Sequence, residues 1–486
     1  MKKRYDVIIL GGGVVGCAVA WYLSHFECSI LVLEKELDVC CGISKANTGI
    51  IHSRSYYTPE TMKGELHLRS LPWFHQAQDE LDFHLARTGA LTVALSPDDL
   101  AYLRLLQERG QCPEAEILGP KDTQELEPNI SENMVAAYYD PQTAVISPFR
   151  LTLALAEGAV LNGVDFVFNV PVIDFHSDDR GIGIETETET DYYVAHWVVN
   201  STGFSAPALA EKCGDGVPPL QAYRGEYYVL DKETRGYVKH VLYPVPTSLS
   251  KGILVSPTPE GNILVGPNFE PVKPGDTSTT VQGLAEVKIG AQKLVHHLPF
   301  DRTIQIFAGI RSVLPERDFH IFFSHRFSNI VHLCGIESPG LTASFGIAEY
   351  VGELLEKRGL NLVHKAHFNL RKNAPIFSEC SWEERERLIT QDPDWGRLVC
   401  RCEEVTLAEV KRALFVPPSA RTIDGLKRRT RVTAGRCQGS FCEMHLLSTM
   451  IALLGFSEND IRKSGIHSHC LVGETREERE SYATRH

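Results

Sequence analysis

Apolar residues fall into short runs along the first part of the chain, separated by polar or glycine-rich positions. Residues 5–10 and 29–33 are mainly apolar runs of strand length, and residues 15–24 between them have the length and composition of a buried helix. Residues 60–112 carry leucines at helical spacing, interrupted at 90–95 by an apolar run that predicts a strand. The pattern predicts an α/β layer at the start of the chain.

The rest of the chain shows the apolar periodicities of both helices and strands, up to a stretch in which neither is present. We predict helices at about 146–163 and 281–298, strands at 165–168, 171–175 and 197–200, an exposed strand in the Glu-Thr alternation of 184–190, and mostly strands over 221–300. Periodicity is lost over 361–395, which predicts a linker.

Three glycines, Gly11, Gly13 and Gly16, separate the first strand from the first helix in GxGxxG spacing. The first allows a tight turn, the second lets backbone approach a pyrophosphate, and the third lets helix and strand pack closely. Glu34 ends the second strand, where a carboxylate accepts hydrogen bonds from a ribose diol. The helix start stabilises phosphates through its amides and dipole. The unit therefore predicts dinucleotide binding.

A second unit of the same kind occupies residues 330–355, with a strand, a small polar turn, Gly340 and a helix. Two helix starts in one chain suit a cofactor too long for one of them, and the second could stabilise negative charge on a reduced flavin. In the loop 38–57, Ser44 and Thr48 could bind phosphate or ribitol oxygens. His52, in the same loop, is the first histidine at a position from which it could take part in the reaction.

Composition and charge narrow the function classes. The net charge is −13, which disfavours nucleic acid as a partner. We find no apolar stretch near the ~20 residues of a membrane span, and the apolar run after the N-terminal basic residues is too short for a signal peptide. We expect a cytoplasmic protein, which a partner could bring to a membrane surface.

Four of the thirteen cysteines form a pattern, CxC and CxxxxC, at Cys400, Cys402, Cys437 and Cys442. Four thiolates can hold a [2Fe–2S] cluster or a zinc ion, and structural zinc more often uses CxxC pairs. Basic residues at 427–431 and Arg436 would stabilise an anionic cluster. The cluster is the preferred interpretation, with zinc and plain thiols as alternatives.

Several stretches carry a family resemblance. The N-terminal glycine unit, VVNSTGFSAPALA (198–210), FAGIR (307–311) and GIESPGLTASFGIA (335–348) resemble the FAD-dependent oxidoreductases of the D-amino-acid-oxidase and glycerol-3-phosphate-dehydrogenase superfamily. CRCEEVT and GRCQGSFC resemble the bacterioferritin-associated-ferredoxin type of [2Fe–2S] domain. The combination is similar to large subunits of anaerobic glycerol-3-phosphate dehydrogenases, to 2-hydroxyglutarate dehydrogenases and to subunits of amine-oxidising flavoprotein complexes.

The resemblance implies a fold class and boundaries. We expect an α/β plus α+β chain, in which a Rossmann-like FAD domain carries a discontinuous antiparallel-sheet substrate domain and a small helical [2Fe–2S] domain follows. The expected ranges are 1–365 for the oxidoreductase (FAD part about 1–80, 141–215 and 301–365; substrate part about 81–140 and 216–300), 366–395 for the linker, 396–455 for the cluster domain and 456–486 for a tail.

The resemblance also implies site residues. The expected FAD contacts are Gly11, Gly13, Gly16, Glu34, Ser44, Thr48, Val172, Gly203, Gly340, Leu341 and Thr342. The expected substrate contacts are Lys251, Arg311 and Ser338. Lys251 and Arg311 would hold a phosphate, because a dianion requires two or more cations, and His52 would take the hydroxyl proton.

The hypothesis is a flavin-dependent enzyme that oxidises sn-glycerol 3-phosphate to dihydroxyacetone phosphate. Its [2Fe–2S] cluster would pass electrons singly to an acceptor protein, for which a second flavoprotein subunit is one candidate. One alternative is a 2-hydroxyglutarate, amino-acid or amine dehydrogenase of the same superfamily, so that the substrate is a phosphorylated polyol or a 2-hydroxy acid. A second alternative is an electron-transfer subunit of a larger complex, without turnover of its own.

Overall fold

A computed structural model describes residues 3–110, 112–187, 192–247 and 252–473 of the chain. It divides into two compact units. The first comprises residues 1–35 and 39–373, and the second comprises Glu36–Asp38 together with Ala374–His486.

Two large sheets and two two-residue strands make up the strands of the first unit. They are β1 (Lys3–Leu10), β2 (Ile30–Glu34), β3 (Ile50–Ile51), β4 (Ala90–Ala94), β5 (Glu116–Leu118), β6 (Ala136–Asp140), β7 (Ala144–Val145), β8 (Asp165–Phe168), β9 (Val172–Asp178), β10 (Gly181–Thr186), β11 (Tyr193–Asn200), β12 (Gln221–Leu230), β13 (Val241–Pro244), β14 (Leu254–Pro257), β15 (Ile263–Gly266), β16 (Glu270–Val272), β17 (Thr303–Val313), β18 (His320–Phe323) and β19 (Ile330–Cys334). The helices are α1 (Val14–Leu23), α2 (Met62–Leu81), α3 (Leu100–Gly110), α4 (Pro120–Leu126), α5 (Pro148–Leu161), α6 (Ala206–Lys212), α7 (Val281–Leu294) and α8 (Gly340–Lys357).

The first sheet runs in the order β18-β19-β11-β1-β2-β8, and the hairpin β9-β10 pairs with β11. From β19 to β8 the neighbours are parallel. Strands β1 and β2 lie at its centre, and residues 7–10 and 30–33 within them are apolar and buried, as expected when both faces of a parallel sheet are covered. Helices α1, α5 and α8 supply the buried residues of one face, with Trp21 fully buried among them.

The second sheet runs in the order β16-β12-β15-β14-β13-β4-β6-β5, with β17 paired along β12. All its pairs are antiparallel except β13 with β4. Helix α7 packs on its buried face through Val287, Ala291 and Leu294. Strand β17 belongs to this sheet, so the second sheet extends to Val313, beyond the expected end of the substrate part near residue 300.

The second unit is small and mainly helical. Its elements are β20 (Leu398–Cys400), β21 (Val405–Thr406), α9 (Trp382–Gln391), α10 (Leu407–Phe415), α11 (Ile423–Thr430) and α12 (Glu443–Leu454). An apolar core gathers α10, α11 and α12 around Val410, Leu426 and Leu446. The fold class expected from the sequence is confirmed for the chain: an α/β region and an α+β region, followed by a small helical domain.

Helix α9 lies within the range 366–395 that the sequence predicts as a linker. Its start is fixed by a capping box between Ser381 and Glu384, and only Leu388 of the helix is buried. The exposed helix therefore lacks the apolar periodicity by which helices are recognised in a sequence. Among the described residues, no helix is both long enough and apolar enough to cross a bilayer.

A buried ion-pair cluster holds part of the second unit together. Asp38 is 1% exposed, and its carboxylate accepts hydrogen bonds from Arg428 at 2.9 Å and from Arg429 at 2.6 and 2.7 Å. Burial by itself would raise the pKa of Asp38, but the attraction of Arg429 and then Arg428 lowers it below its ordinary value. Much of the basic run at 427–431 is therefore occupied by structural pairing, since Arg431 also bonds Glu403 at 2.7 Å.

We predict that Asp38→Asn destabilises the second unit by about 3–5 kcal/mol at neutral pH, because two buried guanidinium groups lose their counter-charge. The lowered pKa gives the pH dependence: this stabilisation is present above the unfolded carboxyl pKa of about 3.9 and is lost as pH falls through the folded value. Urea unfolding of the full chain, followed by the visible absorbance of its cofactors, measures the difference. Glu386→Gln, an exposed carboxylate on α9, is the control and should change nothing.

Candidate active site and cluster-binding site

Helix α1 begins directly after the glycine turn. Gly11 has a φ of +100°, and a side chain on Gly16 would collide with the carbonyl oxygen of Gly11, so both positions require glycine. The N-cap residue, Gly13, has no side chain with which to cap the helix, and the first turn holds no acidic residue. A helix start without acidic side chains, on a loop with close backbone approach, is suited to a pyrophosphate.

Glu34 lies at the end of β2 and is buried, and its Oε2 accepts a hydrogen bond from the Gly12 N–H at 2.6 Å. Ser44 lies across the same turn, and its hydroxyl oxygen accepts from the Val14 N–H at 2.9 Å. Both side chains predicted from the sequence are thus brought to the start of α1, where they shape the turn.

The remaining predicted cofactor residues also follow strand ends. Leu10, Asn200 and His332 are in register on the parallel strands β1, β11 and β19, so the turns after those strands share the carboxyl edge of the sheet. Gly203, with a φ of +63°, follows β11. Gly340, Leu341 and Thr342 form the first turn of α8, which has no side-chain cap and no acidic residue in its first turn. Val172 opens β9.

These observations test the fit of an FAD molecule. Two helix starts without acidic residues in their first turns, α1 and α8, follow strands β1 and β19 of one parallel sheet at the same edge, and a buried acid lies beside the first. The arrangement suits a two-part cofactor with phosphates at one helix and an electron-accepting ring at the other. The residues present therefore fit FAD.

A cavity of about 360 Å³ lies in the first unit. Four residues predicted from the sequence line it: Thr48, His52, Arg311 and Ser338. Lys251 lies outside the described residues, while the described residues on either side of it, Thr247 and Gly252, line the cavity. Its other lining residues are Tyr57, Lys63, Pro246, Leu254, Pro267, Asn268, Phe269, Arg317 and Glu337.

His52 is buried and held from two sides. Its backbone N–H donates to the hydroxyl oxygen of Thr342 at 3.2 Å, and the same hydroxyl donates to the carbonyl of Ile50 at 3.2 Å. Its Nδ1 lies 3.1 Å from the hydroxyl of Tyr243. Burial holds the pKa of Tyr243 well above its ordinary value, so the phenol keeps its proton at any working pH.

Aromatic rings surround His52. The centroids of Tyr56, Tyr57 and Tyr243 lie 5.9, 5.6 and 6.1 Å from the imidazole centroid. The hydroxyl of Tyr57 lies 3.1 Å from the hydroxyl of Ser338. Burial raises the pKa of Tyr57, which therefore stays neutral. The imidazole is thus confined within a rigid apolar wall whose polar tips face specific partners.

Arginine and lysine side chains give the cavity a positive charge. Arg311 extends from β17, and its guanidinium carbon lies 5.2 Å from the ring centroid of Phe269. Lys63, in the first turn of α2, pairs with Glu337 at 3.3 Å. The charged lining residues are Lys63, Arg311, Arg317 and Glu337, so the described wall has two positive charges in excess. Such a wall attracts a dianion.

Sequence reasoning missed Tyr57, Tyr243, Lys63, Arg317 and Phe269. One of them left a usable signal: Lys63 places a cation in the first turn of a helix, where the helix dipole disfavours it, and such a placement suggests a functional reason. The others lie on strands and turns whose order in space depends on the second sheet.

Cys213, Asp215 and His332 form another cluster of metal-ligand types in the first unit, with donor atoms within 4.8 Å of one another. Burial raises the pKa of Cys213 to about 12, which keeps a thiol rather than a thiolate. Burial likewise lowers the pKa of His332 to about 4, and its Nδ1 accepts from Asn200 at 2.9 Å. We assign this group to packing behind the sheet.

The four cysteines of the second unit converge. Cys400 hydrogen-bonds Cys442, and Cys402 hydrogen-bonds Cys437, so each pair joins one cysteine of CxC to one of CxxxxC. The Cys442 thiol and backbone N–H groups lower the pKa of Cys400 to about 6. The sulfurs thus approach in two pairs, an arrangement that suits the two irons of a [2Fe–2S] cluster.

The loops that carry these cysteines are conformationally unusual. Glu404, Thr433 and Gln438 have positive φ angles of 50°, 66° and 49°. Non-glycine residues rarely adopt this region, and they do so mainly where the surroundings impose it. The backbone N–H groups of Glu403 and Thr433 are thereby directed at the sulfur of Cys400. The chain folds its loops around the thiols, which fits a [2Fe–2S] cluster.

The fold and the two sites define a class: a flavoprotein oxidoreductase with an attached iron–sulfur domain. Comparison with known families agrees, since residues 6–354 match the FAD dependent oxidoreductase family and residues 398–451 match the BFD-like [2Fe-2S] binding domain. The chain belongs to the FAD dependent oxidoreductase family, and its cofactors are FAD and a [2Fe–2S] cluster. Both cofactors expected from the sequence are confirmed.

Three similar proteins match most of this chain. A glycerol 3-phosphate dehydrogenase from Caloramator mitchellensis is 36% identical over 98% of this chain and 99% of its own length. A glycerol 3-phosphate oxidase from Mycoplasma genitalium is 31% identical over 76% of this chain and 99% of its own. The FAD-bound structure of dithionite-reduced L-alpha-glycerophosphate oxidase from Mycoplasma pneumoniae superposes with a TM-score of 0.72 and 27% identity, covering 77% of this chain and 99% of that one. These similarities show that the chain is a flavin-dependent dehydrogenase.

We predict that Cys442→Ser abolishes or strongly reduces the [2Fe–2S] cluster, because a hydroxyl is a poor substitute for a buried thiolate ligand. Iron and acid-labile sulfide per chain, measured after anaerobic purification, should fall while bound flavin is retained. Cys470→Ser, in the same unit but outside both motifs, is the matched control. Full cluster content in the Cys442 variant would remove this residue from the ligand set.

Proposed function

We propose that this enzyme oxidises sn-glycerol 3-phosphate to dihydroxyacetone phosphate. The observation that carries the proposal is the cavity itself, where one buried histidine and a hydroxyl face an excess of two positive charges. A substrate with a secondary alcohol and a phosphate dianion matches that arrangement. A glycerol 3-phosphate dehydrogenase that matches nearly the whole chain supports the same choice.

Removing hydrogen from the alcohol requires a proton acceptor at the hydroxyl and a hydride acceptor at carbon. In the proposal His52 takes the proton through Nε2 as general base. That role requires the tautomer that carries its proton on Nδ1, beside the Tyr243 hydroxyl, and its lone pair on Nε2. When bound, FAD accepts the hydride pair of electrons, and the [2Fe–2S] cluster relays electrons one at a time.

The phosphate end of the substrate is assigned to the positive wall. Arg311 offers a planar pair of N–H donors, and the Ser338 hydroxyl adds a further donor. Lys251 remains a prediction for the same end. Two or more contacts on phosphate hold the carbinol carbon in one place relative to His52, which lowers the entropic part of the barrier. A partner protein that accepts the electrons, at a membrane surface or in the cytoplasm, completes the proposal.

The test is an anaerobic stopped-flow screen of the purified enzyme. We expect sn-glycerol 3-phosphate to bleach the flavin band within the turnover time, and 2-hydroxyglutarate, proline and glycine to leave it oxidised. Fast bleaching by one of those three, with none by sn-glycerol 3-phosphate, would replace the proposed substrate with a hydroxy acid or an amino acid.

We predict that Arg311→Gln lowers kcat/KM for sn-glycerol 3-phosphate by about 100-fold, because a charge-assisted contact to the dianion is lost inside a partly closed cavity. Steady-state assays with an artificial acceptor measure the ratio. Arg302→Gln, an exposed arginine paired with Glu233 and Asp301, is the matched control and should keep wild-type kinetics. Equal losses in both variants would point to general destabilisation instead.

We predict that Tyr243→Phe lowers kcat about tenfold with little change in KM and shifts the pH profile of kcat, because the imidazole loses the group that orients it and sets its tautomer. The pH dependence of kcat and of KM, measured separately, decides this. Tyr56→Phe is the matched control: its ring is equally close to His52, but its hydroxyl lies 3.0 Å from Thr92. A profile unchanged in the Tyr243 variant would detach this residue from proton transfer.

A further inference from the structure

Arg317 is a second guanidinium at the cavity that none of the sequence motifs contains. It lies in the turn between β17 and β18, it is exposed, and it lines the same cavity as Arg311 and His52. Its guanidinium carbon is 5.4 Å from the ring centroid of Phe269, against 5.2 Å for Arg311. Two guanidinium groups therefore converge on one aromatic side chain.

Carboxylates do not neutralise this pair in the described part of the chain. Neither Arg311 nor Arg317 has an Asp or Glu oxygen within 4.0 Å among the ion pairs of the described residues, whereas Lys63 in the same wall is paired with Glu337. Two like charges on one ring repel each other, and an anion between or beside them offsets that repulsion. The geometry thus favours a negatively charged ligand.

The turn that carries Arg317 is held in place from helix α2. The Asp318 carboxylate accepts from the backbone N–H groups of Met62 at 2.9 Å and Lys63 at 2.8 Å, and the Lys63 ammonium donates to the carbonyl of Arg317. Arg317 itself has a φ of +56°. A non-glycine residue in this region is uncommon, and the anchored turn sustains its backbone strain. The long side chain is thus presented from a fixed base.

We infer that Arg317 is a specificity-determining residue that, together with Arg311, selects a phosphomonoester dianion over a monoanionic carboxylate. The inference rests on the proposed function and deepens it. A phosphate group presents three oxygens and nearly two charges, so it can accept from both guanidinium groups at once. A carboxylate presents two oxygens and one charge, and it leaves one of the arginines without a partner. Arg317 is a binding residue in this scheme and takes no part in proton transfer.

The test uses the full-length holoenzyme and inorganic phosphate as the probe, with affinity measured by isothermal titration calorimetry. We expect Arg317→Gln to weaken phosphate binding about tenfold, a modest figure because the side chain is partly solvated, and Arg317→Lys to retain part of the affinity. KM for sn-glycerol 3-phosphate should rise by a similar factor with kcat nearly constant. Glycerol, which lacks the phosphate, should be oxidised equally slowly by all variants.

Arg326→Gln is the matched control. Its guanidinium carbon lies 4.8 Å over the ring of Phe327, the same kind of cation–aromatic contact, but it does not line the cavity. Thermal unfolding of each variant verifies that the fold is intact, and Arg317→Lys carries the test if Arg317→Gln does not fold. Phosphate affinity unchanged in the Arg317 variants, or equally reduced in the Arg326 variant, would overturn the inference.

The two proposals fail in different ways. If sn-glycerol 3-phosphate does not bleach the wild-type flavin but phosphate binding still depends on Arg317, the proposed reaction is wrong and the anion subsite stands for another phosphorylated substrate. If sn-glycerol 3-phosphate does bleach the flavin and inorganic phosphate does not bind the wild-type enzyme, the reaction stands and the subsite inference fails.

Discussion

One buried hydroxyl links the parts of the first unit on which the chemistry depends. Thr342, in the first turn of α8, accepts from the backbone of His52 and donates to the carbonyl of Ile50, and its own carbonyl accepts from Ser70 of α2. Each of these groups is buried, where a missing partner costs about 1–3 kcal/mol. The position of the histidine relative to the α8 helix start is therefore set by hydrogen bonds that cannot be broken one at a time without penalty.

The basic residues of the two units differ in whether carboxylates pair with them. In the second unit, Arg428 and Arg429 are satisfied by Asp38, and Arg431 is satisfied by Glu403, so cations that look available in the sequence have structural partners. In the cavity of the first unit, cations outnumber carboxylates. The difference separates basic residues that stabilise the fold from those left to meet a ligand, and only the three-dimensional partners distinguish the two kinds.

The sequence was most informative where function depends on local backbone geometry. The turn at Gly11 and Gly16, the buried strands β1 and β2 and the cysteine spacing are each decided by neighbours a few positions away. The structure confirms the fold class that they imply, and the comparisons with known families confirm the cofactors. The second sheet is formed by pairings such as β4 with β13, which lie about 150 residues apart in the chain. The periodicity of apolar residues does not predict which distant strands pair. Tyr243 and Phe269 lie on that sheet or beside it, and their role became visible only when it was assembled.

Helix α9 shows the opposite case. Its capping box is a local signal, but its exposed and highly charged surface removes the amphipathic stripe that would have marked it as a helix. Arg317 could not be predicted for two reasons. It lies in a turn, and its position depends on the contact of Asp318 with α2, which lies more than 250 residues earlier in the chain.

The pairing of β1 with β11 has a consequence for the way the protein is made. Strand β1 leaves the ribosome first, yet its parallel partner spans residues 193–200 and the next strand along the sheet, β19, spans 330–334. Until most of the first unit has been synthesised, strand β1 lacks its partners on the β11 side, and its apolar surface is exposed to aggregation. The second unit is nearly contiguous, from residue 374 onward. Apart from Glu36–Asp38, one cut before residue 374 therefore separates that unit from the rest of the chain, whereas no single cut divides the two sheets of the first.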